Sequence, residues 1–183
     1  PPAPQERQTP PTMGPLAGAP LAVAGIASNQ DGRSSSLTAP NGPSQQAVIG
    51  AALEAAVAEP KSIVEMQMHG TGTALGDPIE VGALRSAVLV HREGARKGHG
   101  QGRPAPGGPV ALSAVKSMVG HAEAAAGLSG VIQLALGMAL RAASCIQHVR
   151  HVNPLVSGIL ADAGKGPGAA PAGGPATRGV HVA

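Results

Sequence analysis

His69 stands in the segment Met68-His69-Gly70-Thr71-Gly72-Thr73-Ala74-Leu75-Gly76-Asp77-Pro78-Ile79-Glu80, the stretch whose residue types could most readily do chemistry. An imidazole titrates nearest to neutral pH, so it can give or take a proton under ordinary conditions. In residues 62–69, Val64, Met66 and Met68 fall on one face and Ile63, Glu65, Gln67 and His69 on the other. That period of two predicts a short strand ending at His69. Gly70, Gly72 and Gly76 allow a sharp turn and a close backbone approach to a ligand. Asp77 suits an N-cap, Pro78 the first helical position, and Glu80 the third place after the cap, so a helix is predicted to begin here. A histidine held at a strand end beside a glycine turn can be aimed into a crevice. A lone histidine is also read as a solvated surface group, and these residues alone leave both readings open.

The elements that must position this turn follow from the pattern on either side. Residues 21–28 read as a buried strand leading into a turn at 29–36. Ser44 is the expected cap of a helix over 45–58, with Val48, Ala52 and Ala55/Ala56 on one side and Pro60 beyond its end. A helix over 78–90 spaces Val81, Leu84 and Val88 for burial. Residues 91–108 form a loop, 110–115 a second strand with Lys116 at its end, 122–140 a helix rich in small residues, and 146–149 a short extended piece. Strand, helix, strand, helix, strand, helix describes a layered α/β architecture with crossover connections.

Composition narrows the possibilities. Phe, Tyr and Trp are absent, so the core must be aliphatic. Aromatic side chains bury about 150–250 Å² each, and a core without them is expected to be less stable. Net charge is +3, and Arg92, Arg96, Lys97 and Arg103 lie among glycines with no aromatic to stack a base. That reads as a solvated loop and not as a nucleic-acid site. The apolar run 124–140 contains Ser129, Gln133 and three glycines. It falls short of the roughly 20 residues a membrane span needs and is expected to be a buried helix. With no signal-peptide pattern either, the expected location is cytoplasmic. A single cysteine excludes an internal disulfide and a zinc cluster. A metal hydrolase built on His69, Asp77 and His121 lacks ligand spacing, and a serine hydrolase lacks a Gly-x-Ser-x-Gly elbow.

Three blocks in order carry a resemblance. His69-Gly70-Thr71-Gly72-Thr73 with Leu75-Gly76-Asp77-Pro78-Ile79-Glu80 resembles the first histidine motif of the β-ketoacyl synthases, the condensing enzymes of polyketide and fatty-acid synthases. Asn29-Gln30-Asp31-Gly32-Arg33 with Leu37–Gln46 is similar to the stretch preceding that motif, above all in the type I polyketide branch. Lys116-Ser117-Met118-Val119-Gly120-His121 with Ala124-Ala125-Ala126-Gly127 resembles the lysine and second-histidine motif. The resemblance implies a thiolase-like fold, of which this chain would hold most of the C-terminal half and so be incomplete. It implies decarboxylative Claisen condensation of an acyl thioester with a malonyl thioester. His69 and His121 would then donate hydrogen bonds to the malonyl thioester oxygen, and Lys116 would support His121. Thr71 and Thr73 would hold the phosphopantetheine arm of an acyl carrier protein, with no cofactor bound directly.

Some family features have no counterpart. Gly130 stands where some branches place a glutamate partner for the lysine, and Met118 where the polyketide branch usually has Asn. Nothing before Leu21 resembles the nucleophile turn of the family, and Cys145, in Ala143-Ser144-Cys145-Ile146, reads as a structural thiol. The expected organisation is a disordered proline-rich segment at 1–20, the synthase portion at 21–162 and a Gly/Ala/Pro-rich tail at 163–183. Expected partners are the carrier protein, an N-terminal half bearing the cysteine, and a second copy in a homodimer. The alternative is a non-catalytic relic or a pantetheine-binding module.

Overall fold

The computed structural model describes residues 21–32, 39–92, 109–140, 142–144, 146–162 and 180–182. Helix α1 spans Gly42–Ala55, strand β1 Glu65–Gln67 and helix α2 Gly76–Leu84. A π-helical turn at Arg85–Leu89 and a 3-10 turn at Val90–Arg92 prolong α2. Strand β2 is Val110–Ser113, followed by a one-turn helix α3 (Lys116–Val119), helix α4 (Ala126–Leu140), helix α5 (Pro154–Asp162) and strand β3 (Val180–Val182). The strands form one parallel sheet in the order β1-β2-β3. Glu65 pairs with Ala111 and Gln67 with Ser113, while Val110 pairs with Val180 and Leu112 with Val182.

The alternation read from β1 sorts the two faces of this sheet. Met68, Val110 and Leu112 join Val81, Leu84, Val88, Leu89, Val156 and Leu160 in the buried core, with Met66, Ile49 and Leu53 packed against it. This face meets α1, α2 and α5, and its core is aliphatic, as the composition requires. The opposite face is polar. Ser113, fully buried, lies 2.9 Å from Glu65 Oε1 and 2.8 Å from Gln67 Oε1. Helix α4 covers it with Ala126, Gly130 and Gly137, small residues that let the helix come close, and with Gln133; a Cβ on Gly130 would sit 2.9 Å from Gln67 Cγ.

Several expectations are corrected. Residues 21–28 are extended but pair with no strand, and Val23 and Ile26 are exposed. The segment runs instead across α1, so tightly that a Cβ on Gly25 would lie 2.5 Å from the Ala52 carbonyl oxygen. Helix α1 is capped by Asn41, whose side chain accepts the Ser44 N–H, while Ser44 Oγ donates to the Gln30 carbonyl. Asp77 lies inside α2 and does not cap it. The 62–69 strand is shorter because Pro60–Ser62 forms a 3-10 turn, and α4 begins only at Ala126, after Glu123 takes a left-handed φ of 45°. Residues 146–149 form a turn, with His148 at φ 63°. Helix α5 has no counterpart in the sequence reading, and the far end of the predicted tail supplies β3. The expectations for residues 1–20, 93–108, 163–179 and Cys145 lie outside the described residues.

The buried-helix reading of α4 is also corrected. Leu128, Val131, Ile132, Leu136 and Met138 are exposed, because the side that meets the sheet is the small and polar one. By length and composition the 18 residues Glu123–Leu140, with a mean hydropathy of 1.4, could cross a bilayer. The stripe of Ala126, Gly130, Gln133 and Gly137 laid on the sheet is the pattern of a helix in a layered α/β fold.

Two core substitutions should change stability in opposite directions. Leu84→Ala, at a fully buried site, is expected to cost about 2–5 kcal/mol. Gln133 is buried with neither amide atom partnered, so Gln133→Leu should stabilise the chain by about 1–3 kcal/mol. Urea midpoints of the two variants measure both; a loss in Gln133→Leu would show that the amide has a partner.

Candidate active site

Strand β1 delivers His69 to the edge of the sheet, and a single carboxylate then fixes the turn. The His69 N–H donates to Glu80 Oε1, and the Gly70 N–H donates to Glu80 Oε2 at 3.0 Å. Asp77 Oδ1 accepts the Gly72 N–H at 3.1 Å. The carboxylates expected at a capping box therefore reach back from α2 to the backbone of the histidine turn. Gly70 has φ 52° and Gly72 φ 76°, left-handed values that suit glycine. At Gly70 there is also no space: a Cβ would lie 2.9 Å from Ala114 Cβ. Ala114 follows β2, so the first turn presses directly on the approach to the second.

That second turn brings in Lys116 and His121. The Ser117 hydroxyl donates to the Ala114 carbonyl at 2.7 Å, and the Gly120 N–H to the Lys116 carbonyl at 2.9 Å, closing α3. Gly120, at φ 77°, reverses the chain into His121. The Glu123 N–H then donates to His121 Nδ1 at 2.9 Å. A ring nitrogen that accepts carries no proton, so the neutral ring keeps its N–H at Nε2. Residues 52 apart in sequence thus meet: the His69 and His121 rings stand edge to face, with centroids 5.7 Å apart and planes at 85°. Both rings are exposed to solvent.

Two hollows flank the pair. The larger, about 690 Å³, is lined by Thr71, Lys116 and His121 and by the segment 146–153. The smaller, about 380 Å³, is lined by His69, Lys116 and His121 with α4 residues. Lys116 and His121 line both. Of the residues singled out in the sequence, His69, Lys116, His121 and Thr71 are therefore brought together. Thr73 does not line either hollow, and its Oγ1 accepts the Gly76 N–H at 3.1 Å. Among the described residues there is no cluster of three or more His, Cys, Asp or Glu that could hold a metal ion.

Sequence reasoning missed Glu80 as the brace of the first turn, Glu123 as the residue that sets the His121 tautomer, and the 146–153 segment as a wall. The Glu80 signal lies in its place three residues after Asp77, a spacing that capping explains equally well. The other two depend on left-handed residues, Glu123 and His148, at positions where composition gives no warning.

With this geometry in view, comparison with known proteins is decisive. Residues 21–150 match the family model of the β-ketoacyl synthase C-terminal domain. The chain belongs to the β-ketoacyl synthase family. It is 46% identical over 134 residues to the mycoketide-CoA synthase of Mycobacterium tuberculosis, covering 73% of this chain and 3% of that protein. It is 49% identical over 116 residues to a polyketide synthase of Streptomyces halstedii, covering 63% of this chain and 1% of that one. Among solved structures, an oxazolomycin ketosynthase domain of Streptomyces albus superposes with a TM-score of 0.61 at 32% identity, over 73% of this chain and 21% of that chain. The ketosynthase from module 6 of the Bacillus subtilis bacillaene synthase gives 0.62 at 31%, over 73% and 22%. The chain is a β-ketoacyl synthase C-terminal domain of the type I polyketide synthase kind, with the thiolase-like α/β fold, and spans about a fifth of these ketosynthase chains.

The Glu80 brace can be tested without activity. Glu80→Ala strands two amides and should lower stability by about 1–3 kcal/mol, with Glu80→Gln intermediate. Amide hydrogen exchange at His69 and Gly70 should quicken in the same order; unchanged exchange in Glu80→Ala would rule out the brace.

Proposed function

We propose that this chain supplies the two-histidine half of a ketosynthase site, for decarboxylative Claisen condensation of an acyl thioester with a malonyl thioester in polyketide or fatty-acid assembly. The approach of His69 and His121, with ring centroids 5.7 Å apart and both rings lining the smaller hollow, is the observation that carries the reading. As carbon dioxide leaves, negative charge gathers on the thioester oxygen of the malonyl unit. Two ring N–H groups directed at that oxygen stabilise the enolate, each worth about 2.7–4 kcal/mol when preorganised. The Glu123 contact supports this role for His121, because it reserves Nε2–H for donation. Lys116, lining both hollows, contributes positive charge beside His121. Thr71 on the cleft and Thr73 in the adjoining turn hold the phosphopantetheine arm that an acyl carrier protein delivers; no cofactor is bound directly.

The acyl-holding cysteine comes, in this reading, from an N-terminal half of the domain, and the complete enzyme is a cytoplasmic homodimer. The exposed apolar side of α4 supports such a partner, since Leu128, Val131, Ile132 and Leu136 need covering. The boundaries 1–20, 21–162 and 163–183 belong to the same proposal. A second reading is pantetheine or carrier binding without chemistry.

The purified 183-residue chain should not condense acyl and malonyl thioesters; turnover abolished by Cys145→Ala would reject that expectation. In a ketosynthase carrying this segment with a cysteine-bearing N-terminal half, His121→Ala should reduce malonyl decarboxylation by about 10²–10³-fold. Acyl loading of the cysteine should persist. Unimpaired decarboxylation would exclude the role given to His121.

A further inference from the structure

The strap of residues 146–153 along the larger cleft is fastened at both ends. At one end the Gln147 N–H donates to Ser117 Oγ at 2.9 Å, and the same hydroxyl gives its proton to the Ala114 carbonyl at 2.7 Å. Ala114 is the residue on which Gly70 packs, so this fastening lies where the two histidine turns meet. At the other end Asn153 Nδ2 donates to the Ala74 carbonyl at 3.4 Å, just before α2. Between them His148 holds φ 63°, a conformation uncommon for a residue with a side chain, which persists where the surroundings impose it.

Asn153 uses its two amide atoms for separate purposes. Its Oδ1 accepts the Leu155 N–H at 2.9 Å and its backbone carbonyl the Ser157 N–H at 2.9 Å, so it is the N-cap of α5. An aspartate would cap as well, but its carboxylate has no proton to give to the Ala74 carbonyl. Helix α5 is anchored in the core by Val156 and Leu160. Asn153 thus relays the position of the core to the first turn by a route separate from Glu80 on α2. Neither Asn153 nor Ser117 lines the smaller hollow where the two rings meet, so both act through the backbone of the turns.

We propose that the strap is a brace across the two histidine turns, with Asn153 and Ser117 as positioning residues that hold His69 and His121 at their spacing of 5.7 Å. Asn153 acts through Ala74 on the first turn, and Ser117 through Ala114 on the second. The brace rests on these bonds alone. That chemistry depends on the spacing rests on the condensation reading above, since a donor displaced from the reacting oxygen loses most of its effect.

Asn153→Asp in the whole chain separates the two purposes, since it keeps the cap and removes the donor. Amide exchange at Ser157 should stay as slow as in the unaltered chain, while exchange at Gly72 and Gly76, bonded within the first turn, quickens about fivefold. The nuclear Overhauser effect between the His69 and His121 ring protons should weaken. Asn153→Ala should speed exchange at all three amides. Ser117→Ala should free the Gln147 amide and weaken the same ring signal, and Ser117→Thr should restore both. An unchanged ring signal in Asn153→Asp or in Ser117→Ala would overturn the brace. So would a first turn that loosens only when Ser157 loosens with it, for Asn153 would then be a cap alone. In a ketosynthase carrying this segment with a cysteine-bearing N-terminal half, Asn153→Asp should lower kcat for malonyl decarboxylation about fivefold with KM unchanged. Loosened turns with unaltered decarboxylation would leave the brace standing and reject the condensation reading.

Discussion

The site depends on one carboxylate. Glu80 spans two successive amides, those of His69 and Gly70, and so holds the end of β1 in a shape that the strand's own ladder cannot impose. The sheet bonds stop nearby, with the Met68 N–H donating to the Ser113 carbonyl at 2.7 Å. Beyond that point the chain leaves the sheet, and amides without partners there would favour a frayed turn. Because Glu80 stands on α2, whose Val81 and Leu84 are buried in the core, the position of the first histidine is inherited from the core. The absence of aromatic side chains matters here. An aliphatic core must fix α2 firmly enough for a hydrogen-bonded clamp to be useful, and it does so by packing α2 between α1 and α5.

The second histidine is placed by contact with the first turn. Gly70 and Ala114 approach so closely that neither can grow, and the small side chain of Ala114 is set between β2 and the Lys116 turn. The two turns are therefore packed directly against each other. The strap at 146–153, bonded to Ser117 and to Ala74, closes the same arrangement from the far side. Three separate parts of the chain, none adjacent in sequence, converge on a cleft at the carboxyl ends of parallel strands. This is where open α/β sheets present ligands.

Much of this was legible in the sequence, and the failures share a cause. The faces of β1, the buried triplet Val81, Leu84 and Val88, and the meeting of both histidine motifs at strand ends followed from periodicity and motif order. What could not be read was the use made of side chains that serve two purposes. Asp77 and Glu80 have the spacing of a capping box, yet the nearer unsatisfied amides belonged to the glycine turn, and tertiary proximity decided between them. Ser44 has the type of an N-cap, but Asn41 came first and Ser44 was left to bind Gln30. Residues 21–28 have strand composition, yet Gly25 lets them lie on α1, where contact replaces pairing.

The polar sheet face beneath α4 shows how tightly such assignments are coupled. Ser113 Oγ sits within hydrogen-bonding distance of oxygens on both Glu65 and Gln67, but a hydroxyl has one proton to give. The chemistry balances if the Gln67 amide presents its NH2 group to Ser113, which then donates its own proton to the Glu65 carboxylate. That arrangement partners the Gln67 nitrogen and moves the Gln67 oxygen to the position without a partner, so this oxygen and the Gln133 amide are the unpaired groups under the helix. Glu65 and Gln67 lie on the strand that ends at His69, Ser113 precedes the Lys116 turn, and Gln133 lies on the helix that follows His121. The polar face is thus made of residues from the elements that carry the two histidines. An apolar face would pack as well, but hydrogen bonds with defined directions fix the register of β1 against β2, and through it the spacing of the two rings.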